Sequence, residues 1–164
     1  MMALEQITAQ NAEVFKRVRL RALAEAPGAF GSTYAREIQF NDAEWLARVT
    51  RWDGESGVGY LALEGGKACG IAGAFLDQED GTRALLVSMW TDTAHRQKGV
   101  GRLLVDAVVA WARMRGARTM RLTVVSSNGG AIRFYERLGF AITGRTEPYP
   151  NDATMIEYEM AKEI

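Results

Sequence analysis

The spacing of hydrophobic and polar residues divides the chain into two parts that meet near Gly57. Upstream of this glycine, apolar residues recur every three or four positions among arginines and acidic residues, which is typical of helices that bury one face. This spacing predicts a helix over residues 11–25 and a second one in the segment DAEWLARVTRW, with a short strand before them at residues 4–7. The first part of the chain is therefore predicted to be mostly helical.

Downstream of Gly57, apolar residues occur in short runs bounded by turn residues. The runs GVGYLALE and KACGIAGAFLD flank a glycine-rich turn at residues 64–67 and predict an antiparallel hairpin, and RALLVSMWT predicts a third strand. An amphipathic helix in GRLLVDAVVAWARMRG follows, then a strand, a short helix and two final strands. This order predicts an α/β (α+β) fold, in which a mixed, mostly antiparallel sheet of about seven strands packs against helices.

Length and charge are those of a single globular domain. One hydrophobic core serves a chain of 164 residues, so one domain over 1–164 is predicted, with 1–56 as an N-terminal strand and helices and 57–160 as the sheet region. Twenty basic and twenty acidic side chains cancel, which predicts neither a nucleic-acid nor a membrane partner. No apolar run approaches the ~20 residues that span a bilayer, and the N-terminus lacks a basic segment followed by an apolar one, so a cytoplasmic protein is expected.

Cys69 is the only cysteine, and it falls within a predicted strand. A single cysteine excludes a disulfide within the chain and a multi-cysteine metal cluster, and no metal is expected. A buried structural thiol is favoured over a nucleophile at this position.

The stretch RQKGVG, residues 96–101, stands between the third strand of the meander and the long amphipathic helix. A helix start carries unpaired N–H groups and partial positive charge, and glycines at 99 and 101 would let a phosphate approach them, with Lys98 and Arg102 adding charge. The predicted ligand is a pyrophosphate. A dinucleotide-binding loop is disfavoured because Leu104 occupies the position of its third glycine. A tight turn with solvated cations remains the alternative.

The residues RQKGVG also match the Q/R-x-x-G-x-G/A signature of the GCN5-related N-acetyltransferase (GNAT) family. A second segment, NGGAIRFYERLGF at residues 128–140, is similar to the family's N-x-x-A-x-x-F-Y-x-x-L-G-F pattern. The chain thus resembles this family closely over 57–160 and loosely over the N-terminal helices.

This resemblance implies that two central strands splay apart near Met89 and Leu122 and open a cleft for acetyl-coenzyme A (acetyl-CoA). Backbone N–H groups of residues 97–102 would hold the pyrophosphate, and the backbone of residues 89–91 would pair with the pantetheine amides. Asn128 would bond to the pantetheine arm, cap the following helix, or do both. The implied cofactor-binding residues are Met89, Trp90, Thr91, Arg96, Gln97, Lys98, Gly99, Val100, Gly101, Arg102 and Asn128.

The resemblance further implies direct attack of a primary amine on the thioester, through a tetrahedral intermediate. Tyr135 is the predicted acid for the thiolate leaving group, and a core tyrosine is the alternative interpretation. The strand segment LLVSMWT carries no carboxylate for a general base, and Ser88 is the only hydroxyl in its middle. A solvent relay to the strand backbone is preferred over the other candidate bases, which are His95, Glu37 and Glu44.

Acceptor specificity is assigned to the loops PGAFGSTYARE and TEPYPND, which carry Phe30, Tyr34 and Tyr149 as candidate lining residues. The acidic Glu147 and Asp152 are candidates for attracting a cationic amine, with solvated loop positions as the alternative. The sequence does not select the amine acceptor. A noncatalytic acyl-CoA sensor remains open because the strand carboxylate is missing, and so does a homodimer formed through an edge strand.

Overall fold

The computed structural model describes all residues, 1–164. Its strands are β1 (Met2–Gln6), β2 (Gly57–Glu64), β3 (Lys67–Leu76), β4 (Arg83–Thr91), β5 (Thr119–Val125), β6 (Ala141–Tyr149) and β7 (Asp152–Glu163). Its α-helices are α1 (Ala12–Glu25), α2 (Tyr34–Glu37), α3 (Asp42–Thr50), α4 (Val100–Met114) and α5 (Gly129–Arg137). No helix is both long enough and apolar enough to cross a membrane.

The strands form one seven-stranded sheet in the order β1-β2-β3-β4-β5-β7-β6. Every neighbouring pair is antiparallel except β4 and β5, which are parallel. The predicted mixed, mostly antiparallel sheet is confirmed. The sequence did not show that β7 inserts between β5 and β6, which leaves β6 at the edge; Pro148, which has no N–H for a second neighbour, suits that edge position.

The predicted hairpin between β2 and β3 forms with Glu64 paired to Lys67. Gly65 and Gly66 both have positive φ, at 59° and 81°, as a two-residue turn between twisted strands requires. Cys69 is buried in β3, as expected for a structural thiol.

The parallel pairing of β4 with β5 covers only three residue pairs, from Arg83 with Thr119 to Leu85 with Arg121. Beyond them the two strands separate, so β4 keeps an unpaired edge from residue 86 onward. On its other edge the register with β3 slips between Gly73 and Ile71, where Ser88 has a φ of 58°. This β-bulge bends β4 at the point where the sheet opens.

Helices cover both faces of the sheet and enclose two separate cores. Helix α4 contributes buried residues such as Leu104 and Val108 to the larger core on one face. On the opposite face, α1 and α3 bury Phe15 and Trp45 in a smaller core that also contains Trp52. The open part of the sheet therefore lies between two packed layers.

The indole of Trp52 lies flat on β2 and β3 because glycines remove the side chains beneath it. A Cβ atom at Gly73 would lie 2.5 Å from Cζ2 of Trp52. We expect Gly73→Val to lower the free energy of unfolding by about 1–3 kcal/mol, because overpacking displaces the indole or the strand. Urea denaturation measures this loss. Gly81→Ala is the control, since a Cβ there meets open space; equal stability of both variants would contradict the packing argument.

Candidate active site

The turn between β4 and α4 is shaped by two residues with left-handed backbone, Gln97 with a φ of 64° and Gly99 with a φ of 82°. Helix α4 begins immediately after Gly99. Because this N-cap residue has no side chain, the first N–H groups of the helix receive no capping bond from it. Arg96 ties the turn to the end of β4, because its Nε donates a hydrogen bond to the Thr91 carbonyl at 3.1 Å.

Backbone N–H groups in this turn have no partners within the protein. None of residues 97–102 donates a backbone hydrogen bond, and the first such bond of the helix runs from Leu103 to the Gly99 carbonyl at 3.0 Å. Free N–H groups at a helix start, combined with the helix dipole and left-handed turn residues, form an anion-binding concavity. The turn therefore offers the donors that a pyrophosphate requires.

The two glycines of the turn serve different purposes. A Cβ at Gly99 would meet nothing within 4 Å, so the left-handed φ and open access explain this glycine. A Cβ at Gly101 would lie 2.8 Å from Cζ of Phe134 and 3.2 Å from Cε of Met89. The sequence hypothesis gave both glycines the role of admitting a phosphate, but Gly101 is small because α5 and β4 side chains close over it.

A groove of about 710 Å³ extends from this turn between β4 and α5. Most of the predicted cofactor residues line it: Met89, Trp90, Thr91, Arg96, Gln97, Gly99, Gly101, Arg102 and Asn128. The other two predicted residues do not line the groove: Lys98 is exposed to solvent and Val100 is buried in the core. They could contact a ligand in the groove only through their backbone N–H groups. Arg96, Arg102 and Arg137 line the groove and no carboxylate does, so its charge favours an anion.

Asn128 and Trp90 show how the remaining predicted groove residues are held. The Asn128 side-chain oxygen accepts a hydrogen bond from the N–H of Ala131 at 3.1 Å and caps α5, which leaves the amide nitrogen available at the groove. The Trp90 indole is buried in the core under α1, where the Arg21 guanidinium lies 4.9 Å from its ring centroid. Trp90 can therefore serve a ligand only through its backbone.

A second cavity of about 260 Å³ lies on the α1 side of the gap between β4 and β5. Its walls come from residues 29–32, 85–89 and 122–123, with Arg19, Tyr135 and Glu157 completing them. Three residues, Ala29, Met89 and Tyr135, line both this cavity and the groove. The two spaces therefore meet where β4 leaves β5.

Tyr135 stands at this junction on α5. Its ring packs edge-on against Phe134 at 5.1 Å and Phe140 at 5.8 Å between centroids, and its hydroxyl makes no hydrogen bond within the protein. Burial raises the pKa of the Tyr135 phenol above its ordinary value of about 10, so the group stays protonated at neutral pH. The geometry leaves a free proton donor facing both spaces.

Residues 20–140 match the model of the acetyltransferase (GNAT) family. The chain belongs to the GNAT acetyltransferase family. The match includes both β4 with its following turn and the α5 segment that carries Tyr135. The resemblance of the two sequence motifs to this family is therefore confirmed.

Relatives and solved structures agree with this GNAT assignment. The chain is 33% identical over 100 residues to a [ribosomal protein bS18]-alanine N-acetyltransferase of Escherichia coli, covering 59% of this chain and 64% of that protein. It is 46% identical over 50 residues to a streptothricin acetyltransferase of Streptomyces lavendulae, covering 30% and 26%. The matches thus span from a quarter to just under two thirds of those relatives.

Among solved structures, a GNAT-family acetyltransferase from Streptococcus pneumoniae superposes with a TM-score of 0.82 at 22% identity, covering 100% of this chain and 99% of the other. A putative acetyltransferase from Salmonella typhimurium, solved with its cofactor acetyl-CoA, gives a TM-score of 0.80 at 19% identity, covering 99% and 94%. These two likenesses show that the fold is that of GNAT proteins along the whole chain.

No carboxylate or histidine that the sequence suggested as the base lines the second cavity. Glu37 is buried and paired with Arg19 at 3.0 Å and Arg48 at 2.6 Å. Its burial acts to raise the pKa, but the hydrogen bond and charge of Arg19 and the charge of Arg48 outweigh burial and lower the pKa to about 2. A carboxylate held so strongly in its charged form accepts a proton poorly, which argues against Glu37 as the base.

Two other candidate bases, Glu44 and His95, lie outside both spaces. Glu44 is exposed and completes the capping box of α3, with its Oε1 accepting from the Asn41 N–H. His95 is held between Asp92 and Glu64 at 2.5 Å each and lies outside the lining of both spaces. Ser88 does line the second cavity, where the Arg19 guanidinium reaches its hydroxyl at 3.4 Å.

Of the predicted acceptor-side aromatics, only Phe30 lines the cavity, beneath the Arg19 guanidinium at 4.7 Å from its ring centroid. Tyr34 is exposed on α2 and away from the cavity. Tyr149 is buried, and its hydroxyl donates to the Phe30 carbonyl at 2.6 Å, so it anchors the loop that carries Phe30.

The two acidic candidates of the last hairpin, Glu147 and Asp152, are exposed and outside the cavity. The carboxylate that does line it is Glu157 on β7, which is not among the residues predicted from the sequence. Glu157 stands between the apolar residues Ile156 and Tyr158, as a polar residue does in any half-exposed strand. The sequence around it therefore gave no sign of a functional role. Arg137, which lines the groove, was missed because it occupies a position that the family pattern leaves unspecified.

We expect Gly99→Val to raise the dissociation constant of coenzyme A at least about tenfold, or about 1.4 kcal/mol, because a side chain there enters the space in front of the free N–H groups. Isothermal titration calorimetry measures this change. Gly116→Val is the matched control: Gly116 ends the same helix with a φ of 93° and equally open surroundings. Both variants carry left-handed strain of ~1–2 kcal/mol, but only the first should lose affinity. Equal affinity in both would reject the assigned turn.

Proposed function

We propose that this protein is an acetyl-CoA-dependent N-acetyltransferase that acetylates a primary amine of a small molecule or peptide. The observation that carries the proposal is the junction of the two spaces at Met89 and Tyr135. A donor whose phosphates lie at the α4 turn would run along the unpaired edge of β4 and end at this junction. An amine in the second cavity would then face the thioester.

The residues at the junction support direct transfer. The amine nitrogen attacks the thioester carbon, and the oxygen that becomes negative can accept hydrogen bonds from the backbone N–H groups of the free β4 edge near the bulge. When the carbon–sulfur bond breaks, the electron pair leaves with sulfur. Tyr135 donates its proton to this thiolate, and its phenolate recovers a proton from the nitrogen of the new amide.

The cavity volume supports an acceptor that inserts a narrow amine-bearing end. About 260 Å³ accommodates a small molecule or one flexible side chain, and a folded surface would not enter it. The relatives' names state acetylation of streptothricin and of an alanine in ribosomal protein bS18. Because these acceptors differ, they support the reaction class and do not select the acceptor of this protein.

The proposal is tested by incubating the pure protein with acetyl-CoA and a panel of primary amines while free thiol is measured. The expected result is amine-dependent thiol release with acetylated amine found by mass spectrometry. Coenzyme A should also raise the melting temperature, since a ligand at a hundredfold excess over its Kd adds about 2.7 kcal/mol of stability. Stabilisation by coenzyme A without release from any amine would favour the noncatalytic sensor.

We expect Tyr135→Phe to lower kcat about 100-fold, because general acid catalysis of the leaving group is lost, while the Kd of coenzyme A stays within about twofold. Tyr60→Phe is the control: burial raises the pKa of Tyr60 as well, but this tyrosine lies on β2 outside both spaces. Turnover by the Tyr135 variant equal to that of the Tyr60 variant would remove the assigned role.

A further inference from the structure

We infer that Glu157 is the group that binds the ammonium of the acceptor and takes its proton before attack. This inference rests on the proposed acetyltransferase function and assigns the step that the β4 sequence leaves without a carboxylate. Glu157 lies on β7, two strands away from β4 in sheet order, yet it reaches the acceptor cavity because β4 and β5 have separated. It is the only carboxylate that lines either space.

The surroundings of Glu157 suit a proton acceptor. The carboxylate is half-buried and has no salt bridge, in contrast to Glu37 with its two arginines and Glu159 with Arg121. Burial is the main effect that raises the pKa of Glu157, and the nearby Thr123 hydroxyl opposes it. A carboxylate without a resident cation and with raised basicity can accept a proton from an incoming ammonium.

The charged groups around Glu157 set how it titrates. From β6, the exposed Glu147 pairs with Glu157 in register, and its negative charge raises the pKa further. From α5, the neutral Tyr135 phenol faces the same cavity, and from α1 the Arg19 guanidinium does so while committed to Glu37. Arg121 on β5 is bound to Asp77 and Glu159.

The proton balance of the reaction is complete with these residues. An alkylammonium with a pKa of about 10.4 is almost entirely protonated at pH 7, so one proton must leave before the nitrogen lone pair can attack. Glu157 takes that proton as a carboxylate and later releases it to water. When the amide forms, its nitrogen loses a second proton, which returns to the Tyr135 phenolate after Tyr135 has protonated the thiolate. The products are therefore the amide, the free thiol and one released proton.

The pH dependence of kcat/KM, measured with the amine of the panel that releases most thiol, tests this assignment. Glu157→Gln should lower kcat/KM about 100-fold at pH 7 and abolish the acidic limb of the profile, and Glu157→Asp should restore part of the rate. Glu147→Gln should move the acidic limb to lower pH, because a like charge is removed. Glu159→Gln is the matched control, because Glu159 lies on the same face of β7 but outside the cavity. This variant should leave kcat/KM at pH 7 and the acidic limb unchanged. An unaltered limb in Glu157→Gln would overturn the inference.

Stability separates loss of chemistry from loss of fold. The folded-state pKa of Glu157 is raised above its unfolded value, so this carboxylate makes the fold less stable as pH rises through that pKa. Glu157→Gln removes the penalty and should melt at the same or a higher temperature at pH 8. If Glu157→Gln instead melts at a lower temperature than wild type at pH 8, and its activity returns when the assay is cooled, the loss of activity comes from unfolding. That result would show a structural role for Glu157 and contradict the inference.

A binding measurement keeps the two proposals distinguishable. If no amine of the panel releases thiol, the proposed function fails, but Glu157 can still be tested with n-propylammonium and uncharged n-propanol as probes. Glu157→Gln should weaken n-propylammonium binding about tenfold in the presence of coenzyme A and leave n-propanol binding unchanged. Equal binding of the ammonium to wild type and variant would overturn the assignment of this site.

Discussion

The three-residue parallel pairing between β4 and β5 is the constraint on which both cavities depend. A continuous ladder along these strands would fill the centre of the sheet with paired backbone, and neither space would exist. Because pairing stops at Leu85, the edge of β4 over 86–91 faces a gap, and the bulge at Ser88 bends it there. Unpaired backbone is tolerated only where water or a ligand can satisfy it. An extended ligand with amide groups, such as a pantetheine arm, fits that requirement.

The gap also separates two electrostatic environments. The groove on one side presents three arginines, a helix start with free N–H groups and no carboxylate, which suits phosphates. The cavity on the other side presents one unpaired carboxylate, Glu157, and one arginine already bound to Glu37. These charges favour an anion in the groove and a cation beside Glu157, and the two spaces meet at Tyr135 and Met89. A chain without net charge can therefore present two neighbouring spaces of different electrostatic character.

Local sequence signals predicted most of the fold and most of the residues that the structure brings together along the groove. The hairpin, α4 and the free N–H groups of the RQKGVG turn could be predicted because they depend on residues that are neighbours in sequence. The acceptor side could not be predicted in this way: Glu157 reaches its cavity only because β7 inserts beside β5 and because β4 turns away. For the same reason the sequence did not indicate the partners of Glu37, since nothing near it in sequence shows that Arg19 and Arg48 hold its carboxylate.

The N-terminal helices are joined to the site by this buried ion group. Arg19 and Arg48 both pair with Glu37 beneath the cavity, and Arg19 also reaches the Ser88 hydroxyl at the bulge at 3.4 Å. Removing Glu37 would leave the buried Arg19 guanidinium without its carboxylate partner, and breaking a buried ion pair in this way destabilises proteins by about 3–5 kcal/mol. Helices α1, α2 and α3 are thus tied to the strand that shapes the cavity, and this wall cannot vary freely. The loop at 29–32 can accommodate changes in the cavity wall more easily. Tyr149 holds this loop through the backbone carbonyl of Phe30, so the Phe30 side chain can be replaced without loss of that hydrogen bond.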